Sequence, residues 1–506
     1  MTPVMMPTEG AAVTAAETTD RTRWLALYVL CTGVLMIVLD ATVVNVALPS
    51  IQDDLHFTQT NLAWVVNAYL IAFGGLLLLG GRIGDLLGHR RIFLIGLGIF
   101  TSASLLCALS RSQALLIGAR FVQGIGGAFA SAVVLGMIVT MFPEPRDQAK
   151  AIGVYGFVAS AGGSIGLLLG GVITQSINWH WIFFINVPIG IATALLARRL
   201  VAARPGIGLS AGADLPGAVM MTSGLMLGVY AILQVSGKGF GSWQVLGFGA
   251  ASLLLLTAFV LRQARIENPL MPLRLFRSRN VSGANLVLGL LVVGMFGMFF
   301  LGALYMQRVL GYDPLEVGLA FLPATIVMGS MSLRVSGPVS MRFGARKIIV
   351  VCLAAIGVAM LLFARTPVAG HYVVDLLPIM VLFGFGAGLA FPVLMQLAMS
   401  GATPRDAGLA SGLANTTPQV GGAIGLAVLA TLASNRTSTL LAQGHSQVSA
   451  LNGGFHLAYL VGAALVFLAI VVALTVLQPV AHPAMAHGHA PEGETVTGAG
   501  PVYSKA

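Results

Sequence analysis

Charge is scarce in this 506-residue chain: Asp, Glu, Lys and Arg make up 9% of it, against about 25% in an ordinary soluble domain. So little charge cannot solvate a globular surface, which excludes a soluble enzyme or a soluble binding module. Cysteine is almost missing. Cys31, Cys107 and Cys352 lie far apart inside apolar stretches and read as buried thiols, not as a disulfide framework or a thiolate metal site. No phosphate-cradling G-x-x-x-x-G-K-[ST] loop and no metal-ligand cluster occurs, so ATP hydrolysis within the chain and metal catalysis have no residues to act through. The formal charge of +10 does not point to nucleic acid, because the basic residues sit in short loops between apolar spans. The first apolar run begins near Trp24 and is too long for a signal-peptide core, so it is expected to stay as an anchor.

What the chain does have is apolar bulk. Hydrophobic residues make up 57%, mean hydropathy is +0.91 and there are 63 glycines. Windows of about 20 apolar residues predict fourteen transmembrane helices, near 24–48, 61–80, 92–110, 113–141, 148–174, 182–203, 214–236, 244–262, 280–306, 314–333, 347–364, 373–398, 406–433 and 454–477. The terminal stretches 1–20 and 480–506 are polar or small and are expected to be disordered. His482, His487 and His489 in the second of them are either weak metal ligands or part of a floppy tail. With the N-terminus in the cytoplasm, 21 of the 27 Lys and Arg fall in inside segments. Arg111, Lys238, Arg308, Arg365 and Arg436 fall outside, and Arg120 lies within a helix. That asymmetry places both termini inside.

A repeat organises these spans. PRDQAKAIG at 145–153 returns as PRDAGLASG at 404–412, and GGSIG at 162–166 returns as GGAIG at 421–425. Gly81, Gly88, Arg90 and Arg91 recur in register as Gly337, Gly344, Arg346 and Lys347. Both matches shift by eight helices instead of six. The predicted architecture is an all-α membrane protein of two six-helix bundles, helices 1–6 and 9–14, with an inserted pair, 7–8. The corresponding divisions are an N-terminal tail at 1–23, a bundle at 24–203, a linker and pair at 204–279, a bundle at 280–478 and a tail at 479–506. Two related halves in a membrane suit a transporter, because the interface between them can hold a site reachable from either side.

Ionisable groups inside a bilayer are costly and point to function. Two stand out, Asp40 in helix 1 and Arg120 in helix 4. At ~1.5 Å per residue both lie ~12 Å from the same surface, which permits an ion pair. A guanidinium would hold Asp40 ionised, and loss of the contact would let it take a proton; the alternative is a static pair that locks two helices. Asn45 and Gln123 extend this region on roughly the same faces. Asn67, Tyr69, Tyr305, Gln307, Gln396, Asn415 and Gln419 either line a solute cavity or make interhelical hydrogen bonds.

The short loop from Gly81 to Arg91 is expected to be a glycine-permitted reversal. Asp85 in it can act as a conformational latch against basic groups or a helix N-terminus, together with Gly81, Gly88, Arg90 and Arg91. The alternative for the arginines is a topology signal that touches lipid headgroups. The second copy has Met341 in place of Asp85. Helix 5 is dense in glycine, with Gly153, Gly162, Gly166 and Gly170 at small-xxx-small spacing, which predicts a close helix contact, bending or merely tight.

These residues resemble the major facilitator superfamily, in particular its fourteen-helix drug:proton antiporter branch. LDATVVNVALP at 39–49 is similar to that branch's first-helix motif, Gly81 to Arg91 match the superfamily's loop, and RFVQGIGGA at 120–128 resembles the fourth-helix motif. WHWIFFINVPIG at 179–190 is similar to the junction before helix 6. Gly163 and Leu167 stand where drug exporters usually carry prolines, and His180 where arginine is usual. The resemblance implies a proton-coupled exporter of small organic compounds in a bacterial cell membrane. It would work without a cofactor or an enzymatic step, as a monomer, with protons, the lipid bilayer and a small-molecule substrate as its only partners. Asp40 and Arg120 would then serve proton coupling. A narrow metabolite exporter, a proton symporter and a non-transporting membrane sensor are the alternatives.

Overall fold

The computed structural model describes residues 9–478, except 204, 207, 209–213, 268, 272 and 400–406, and leaves some side-chain surroundings within helices undescribed. The C-terminal histidines 482, 487 and 489 lie outside the described residues. The described chain is all-helical. In order, the spans are α1 (Glu9–Leu55), α2 (Gln59–Leu87), α3 (His89–Ala108), α4 (Gln113–Met141), α5 (Pro145–Ser176) and α6 (Trp181–Phe184 with Asn186–Leu200). Next come α7 (Leu215–Lys238) and α8 (Trp243–Gln263), then a 3-10 turn (Leu273–Arg277). The rest are α9 (Arg279–Arg308), α10 (Pro314–Ser330, Met331–Val335 and Ser336–Phe343), α11 (Ala345–Phe363), α12 (Tyr372–Leu376 with Leu377–Met399), α13 (Ala407–Ala442) and α14 (Gln447–Thr475).

Fourteen helical spans are thus present among the described residues, as the hydropathy pattern predicts. Twelve of them are long and apolar enough to cross a bilayer, and α5 and α10 carry the shorter apolar segments Ile165–Ser176 and Pro314–Ser330.

Two boundaries differ from expectation for local reasons. Helix α1 begins at Glu9 and not near residue 24, because Ala11, Ala12, Ala15 and Ala16 make the preceding segment a good helix former. Helix α2 runs on through Gly81, Arg82 and Asp85 to Leu87, so the expected loop is only a one-residue turn. Gly88 makes that turn at φ +96°, and Gly344 repeats it at φ +81° between α10 and α11; both lie in the left-handed region that favours glycine. A Cβ at Gly81 would meet nothing within 4 Å, so neither packing nor dihedral angle requires glycine there.

Helix α1 packs on α5 and α6, and α4 packs on α2 and α3; α9 packs on α13 and α14, and α11 on α12 and α14. The two groups meet along two seams, α2 against α13 and α5 against α10. Glycine decides how close they come. On α5, Gly162, Gly166 and Gly170 face α1, where an added Cβ would press on Val38, Thr42 and the Val43 carbonyl. Gly171, one residue on, faces the other way: its Cβ would lie 2.6 Å from the Pro314 carbonyl of α10. Gly318 on α10 returns the contact against Leu167 at 2.7 Å. Helix α5 therefore touches one neighbour on each side through bare backbone. Gly153 lies in α5 outside the described side-chain surroundings.

The inserted hairpin covers only one seam. Helix α7 packs on both α2 and α13, with α8 outside it, and the large exposed side chains Leu246, Leu253 and Leu254 of α8 face outward. Its base is fixed by Asp214, whose carboxylate accepts from Arg262 Nε and Gln263 Nε2, each at 2.6 Å, and from the Gly217 N–H at 2.9 Å. Burial pushes the Asp214 carboxyl up, but these three donors outweigh it and hold it below the usual carboxylate range.

Two outcomes follow. Gly166→Ala forces a methyl into Thr42 and costs about 1–3 kcal/mol, read as a lower unfolding temperature in detergent. Gly163→Ala, with nothing within 4 Å of its Cβ, holds or raises that temperature. Because the folded-state pKa of Asp214 is depressed, its contribution is complete above the ordinary carboxylate pKa and is lost as pH falls through the folded value. Wild-type unfolding temperature therefore drops more steeply on acidification than that of Asp214→Asn; equal slopes would contradict this.

Candidate functional site

Arg120 on α4 is 0% exposed and is the largest fully buried side chain described. So large a charge in a dry interior must be paired and hydrogen-bonded, and the structure meets that requirement almost completely. Nη1 donates to Asp40 Oδ2 at 2.5 Å and to Gln123 Oε1 at 2.7 Å, and Nε donates to the Val65 carbonyl of α2 at 2.9 Å. The guanidinium carbon lies 4.4 Å from the Tyr69 ring centre and 5.6 Å from that of Phe183, within cation–π range. Nη2 has no hydrogen-bond partner.

Asp40 is held from two helices, α4 and α6. Besides Arg120, its Oδ1 accepts from Gln123 Nε2 at 2.7 Å and from Asn186 Nδ2 of α6 at 2.9 Å. Gln123 also lies 2.7 Å from Ser104 Oγ of α3, and Cys107 Sγ donates weakly to Gln123 Oε1. The centre thus joins α1, α3, α4 and α6 through one carboxylate, one guanidinium and two amides. The ion pair that equal depth permits between Asp40 and Arg120 is present, and Gln123, expected only as a polar neighbour or cavity residue, bonds to both.

Sequence reasoning missed Asn186, Ser104 and Cys107. Asn186 had a usable signal, since it is the one amide in the apolar run WIFFINVPIG; Ser104 and Cys107 had none.

The remaining candidates scatter. Asn67 is fully buried with neither side-chain atom partnered, and the Tyr69 hydroxyl is likewise without a partner. Of the two, Tyr69 stands beside the centre, its ring against the Arg120 guanidinium. Asn45 turns back to the Ala41 and Thr42 carbonyls of its own helix and does not join Asp40. Tyr305 donates to the Pro367 carbonyl within the second half at 2.8 Å. Gln419 packs over Gly74 at the α2–α13 seam. Gln396 is exposed and Asn415 is half-buried.

At the turn, Asp85 is exposed and pairs with His89, 3.1 Å away. Arg90 donates to the Arg198 carbonyl at the end of α6 at 2.5 Å.

A second polar cluster lies where α9 ends against α1. Gln307 Nε2 donates to the Val46 carbonyl at 2.9 Å. Arg308 Nη2 donates to the Pro49 carbonyl at 3.1 Å and to the carboxylate of Asp53. Across the same face, Gln175 of α5 donates to Asp313 at the start of α10 at 2.9 Å. On this side the two halves are tied by charge-assisted hydrogen bonds. A cavity of about 380 Å³ lies beside the tie, between Gln52, Asp53, His56, Arg308, Gln447 and Phe455. Only Gln307 of this cluster was expected to carry function; Arg308 reads from sequence as a loop charge.

Residues 30–426 match the model of the Major Facilitator Superfamily. The chain belongs to this superfamily. It is 38% identical over 454 residues to the puromycin resistance protein pur8 of Streptomyces alboniger, covering 89% of each chain. It is 41% identical over 440 residues to the cephamycin export protein CmcT of Amycolatopsis lactamdurans, covering 86% of this chain and 90% of that one. Among solved structures it is similar to the inward-facing, unoccupied form of a bacterial homolog of the human lysosomal transporter Spinster. That match has a TM-score of 0.65 and 15% identity, and covers 92% of this chain and 99% of that one. At that identity the likeness speaks to the fold. Fourteen helices, superfamily membership and export or resistance proteins as relatives agree with the fourteen-helix branch that the motifs resemble.

Replacing Arg120 by Ala leaves Asp40 buried without its cation and costs about 3–5 kcal/mol. Asn186→Ala removes a hydrogen bond to a charged group and costs about 1.5–3 kcal/mol. Thermal unfolding in detergent should rank the two in that order, and an unchanged midpoint for Arg120→Ala would contradict the pairing described.

Proposed function

We propose that this protein exports small organic compounds, antibiotics or similar amphipathic or cationic molecules, across a bacterial cell membrane in exchange for protons. One observation carries the reading: a carboxylate, Asp40, sits buried at the meeting point of α1, α3, α4 and α6, held by a guanidinium and two amide donors. A carboxylate held this way has two self-consistent states. Ionised, it accepts from Arg120, Gln123 and Asn186. Protonated, it no longer balances Arg120, whose Nη1 keeps only Gln123, and the grip of α4 and α6 on α1 weakens.

Helix α1 also carries the Val46 and Pro49 carbonyls that Gln307 and Arg308 hold from the other half. Proton uptake at Asp40 and release of that cross-half tie, six and nine residues further along, then act on one helix. Rocking of one bundle against the other would alternate the access of a site between them. The direction of transport is supported by relatives named for antibiotic resistance and export. The relatives named for single compounds also support a narrower reading, in which the chain exports one endogenous metabolite.

In cells or proteoliposomes, ethidium efflux should collapse with a protonophore and with Asp40→Asn. To separate coupling from mere helix locking, Asp40→Leu with Arg120→Met removes both charges at similar volume and should recover most of the stability that Arg120→Ala loses, while efflux stays absent. Full efflux by the double variant would overturn the assignment. Membrane-inserted wild type that moves no ethidium would favour the narrow exporter.

A further inference from the structure

The second copy of the repeated turn carries positive charge and no acid within its own segment. Residues 334–347 contain Arg334, Arg342, Arg346 and Lys347 and neither Asp nor Glu. In the first copy Asp85 pairs with His89; the matching positions in the second are Met341 and Ala345. One basic residue does the same job in both. Arg90 donates to the Arg198 carbonyl at the end of α6, and Arg346 donates to the Leu474 carbonyl near the end of α14. Arg342 and Lys347 are exposed.

Next to these two cations lies an apolar groove of about 340 Å³ between the end of α10, the start of α11 and α12. Val339, Phe343, Ile348, Val351 and Phe385 line it, and Lys347 is the charged residue of its wall. Phe343 and Val351 are 54% and 58% exposed, so the groove opens outward to the side a bilayer would cover. The Arg342 guanidinium sits 5.3 Å from the Phe343 ring centre, at the same mouth. An apolar slot with two cations at one end, neither of them in an ion pair among the described residues, complements a molecule with a hydrocarbon chain and an anionic head.

We propose that this groove binds an anionic phospholipid from the leaflet bordering the arginine-rich turns. One acyl chain lies along Ile348, Val351 and Phe385, and the headgroup phosphate is held by Lys347 and Arg342. The site belongs to the second half alone, because in the first copy the Asp85 carboxylate would repel the phosphate.

Native mass spectrometry of the full-length protein, titrated with phosphatidylglycerol or phosphatidylcholine, tests this. Wild type should retain phosphatidylglycerol in preference to phosphatidylcholine. Arg342→Gln with Lys347→Gln should weaken the tightest phosphatidylglycerol adduct roughly 25-fold, the effect of two basic residues at an anionic lipid surface. Val351→Trp keeps both charges but fills the slot, and should weaken that adduct as well. Equal retention of the two lipids overturns the proposal, as does an unchanged adduct in either variant.

Discussion

Burying one carboxylate and one guanidinium together is the constraint on which the first half of this protein depends. In a medium without water, neither Asp40 nor Arg120 is tolerable alone, and each must have its hydrogen bonds supplied by protein. Those bonds come from Gln123, Asn186 and the Val65 carbonyl. The positions of α2, α3, α4 and α6 around α1 are therefore tied to one electrostatic centre. Apolar packing fills the space but does not choose among arrangements, since lipid is as apolar as the helices.

Backbone proximity is the second constraint. The glycines of α5 place its main chain against α1 on one side and against α10 on the other. Contacts between bare backbones are close without being interlocked by long side chains. A helix that serves both halves in this way can keep one contact while the other changes. The other seam, α2 against α13, is backed by α7, so the two seams differ in what covers them.

The internal repeat supplies a common plan and then departs from it. Both copies use a left-handed glycine to end one helix and start the next, and both use an arginine to cap a distant helix end. They differ in charge. The first keeps an acid beside its bases, and the second does not. Among the described residues, the fully buried ion pair is likewise confined to the first half. In the second half, the stretch around Tyr305, Phe363 and Tyr459 is built from stacked and edge-on aromatic rings.

Hydropathy, charge asymmetry and repetition are local or additive properties. For that reason the fourteen helices, the two related halves and the inserted pair were legible from the chain alone. Asp40 and Arg120 were legible too, because an ionisable residue in an apolar run stands out and the constant rise of a helix fixes its depth. Tertiary structure alone decided which neutral polar groups join them. Asn186, Ser104 and Cys107 enter the centre while Asn45 turns away, since a hydrogen bond depends on where neighbouring helices lie and not on residue type. It alone decided that Gly170 and Gly171, adjacent in sequence, face opposite halves, and that Arg308 reaches back to α1. Facing is a matter of rotation about a helix axis, and packing sets that rotation.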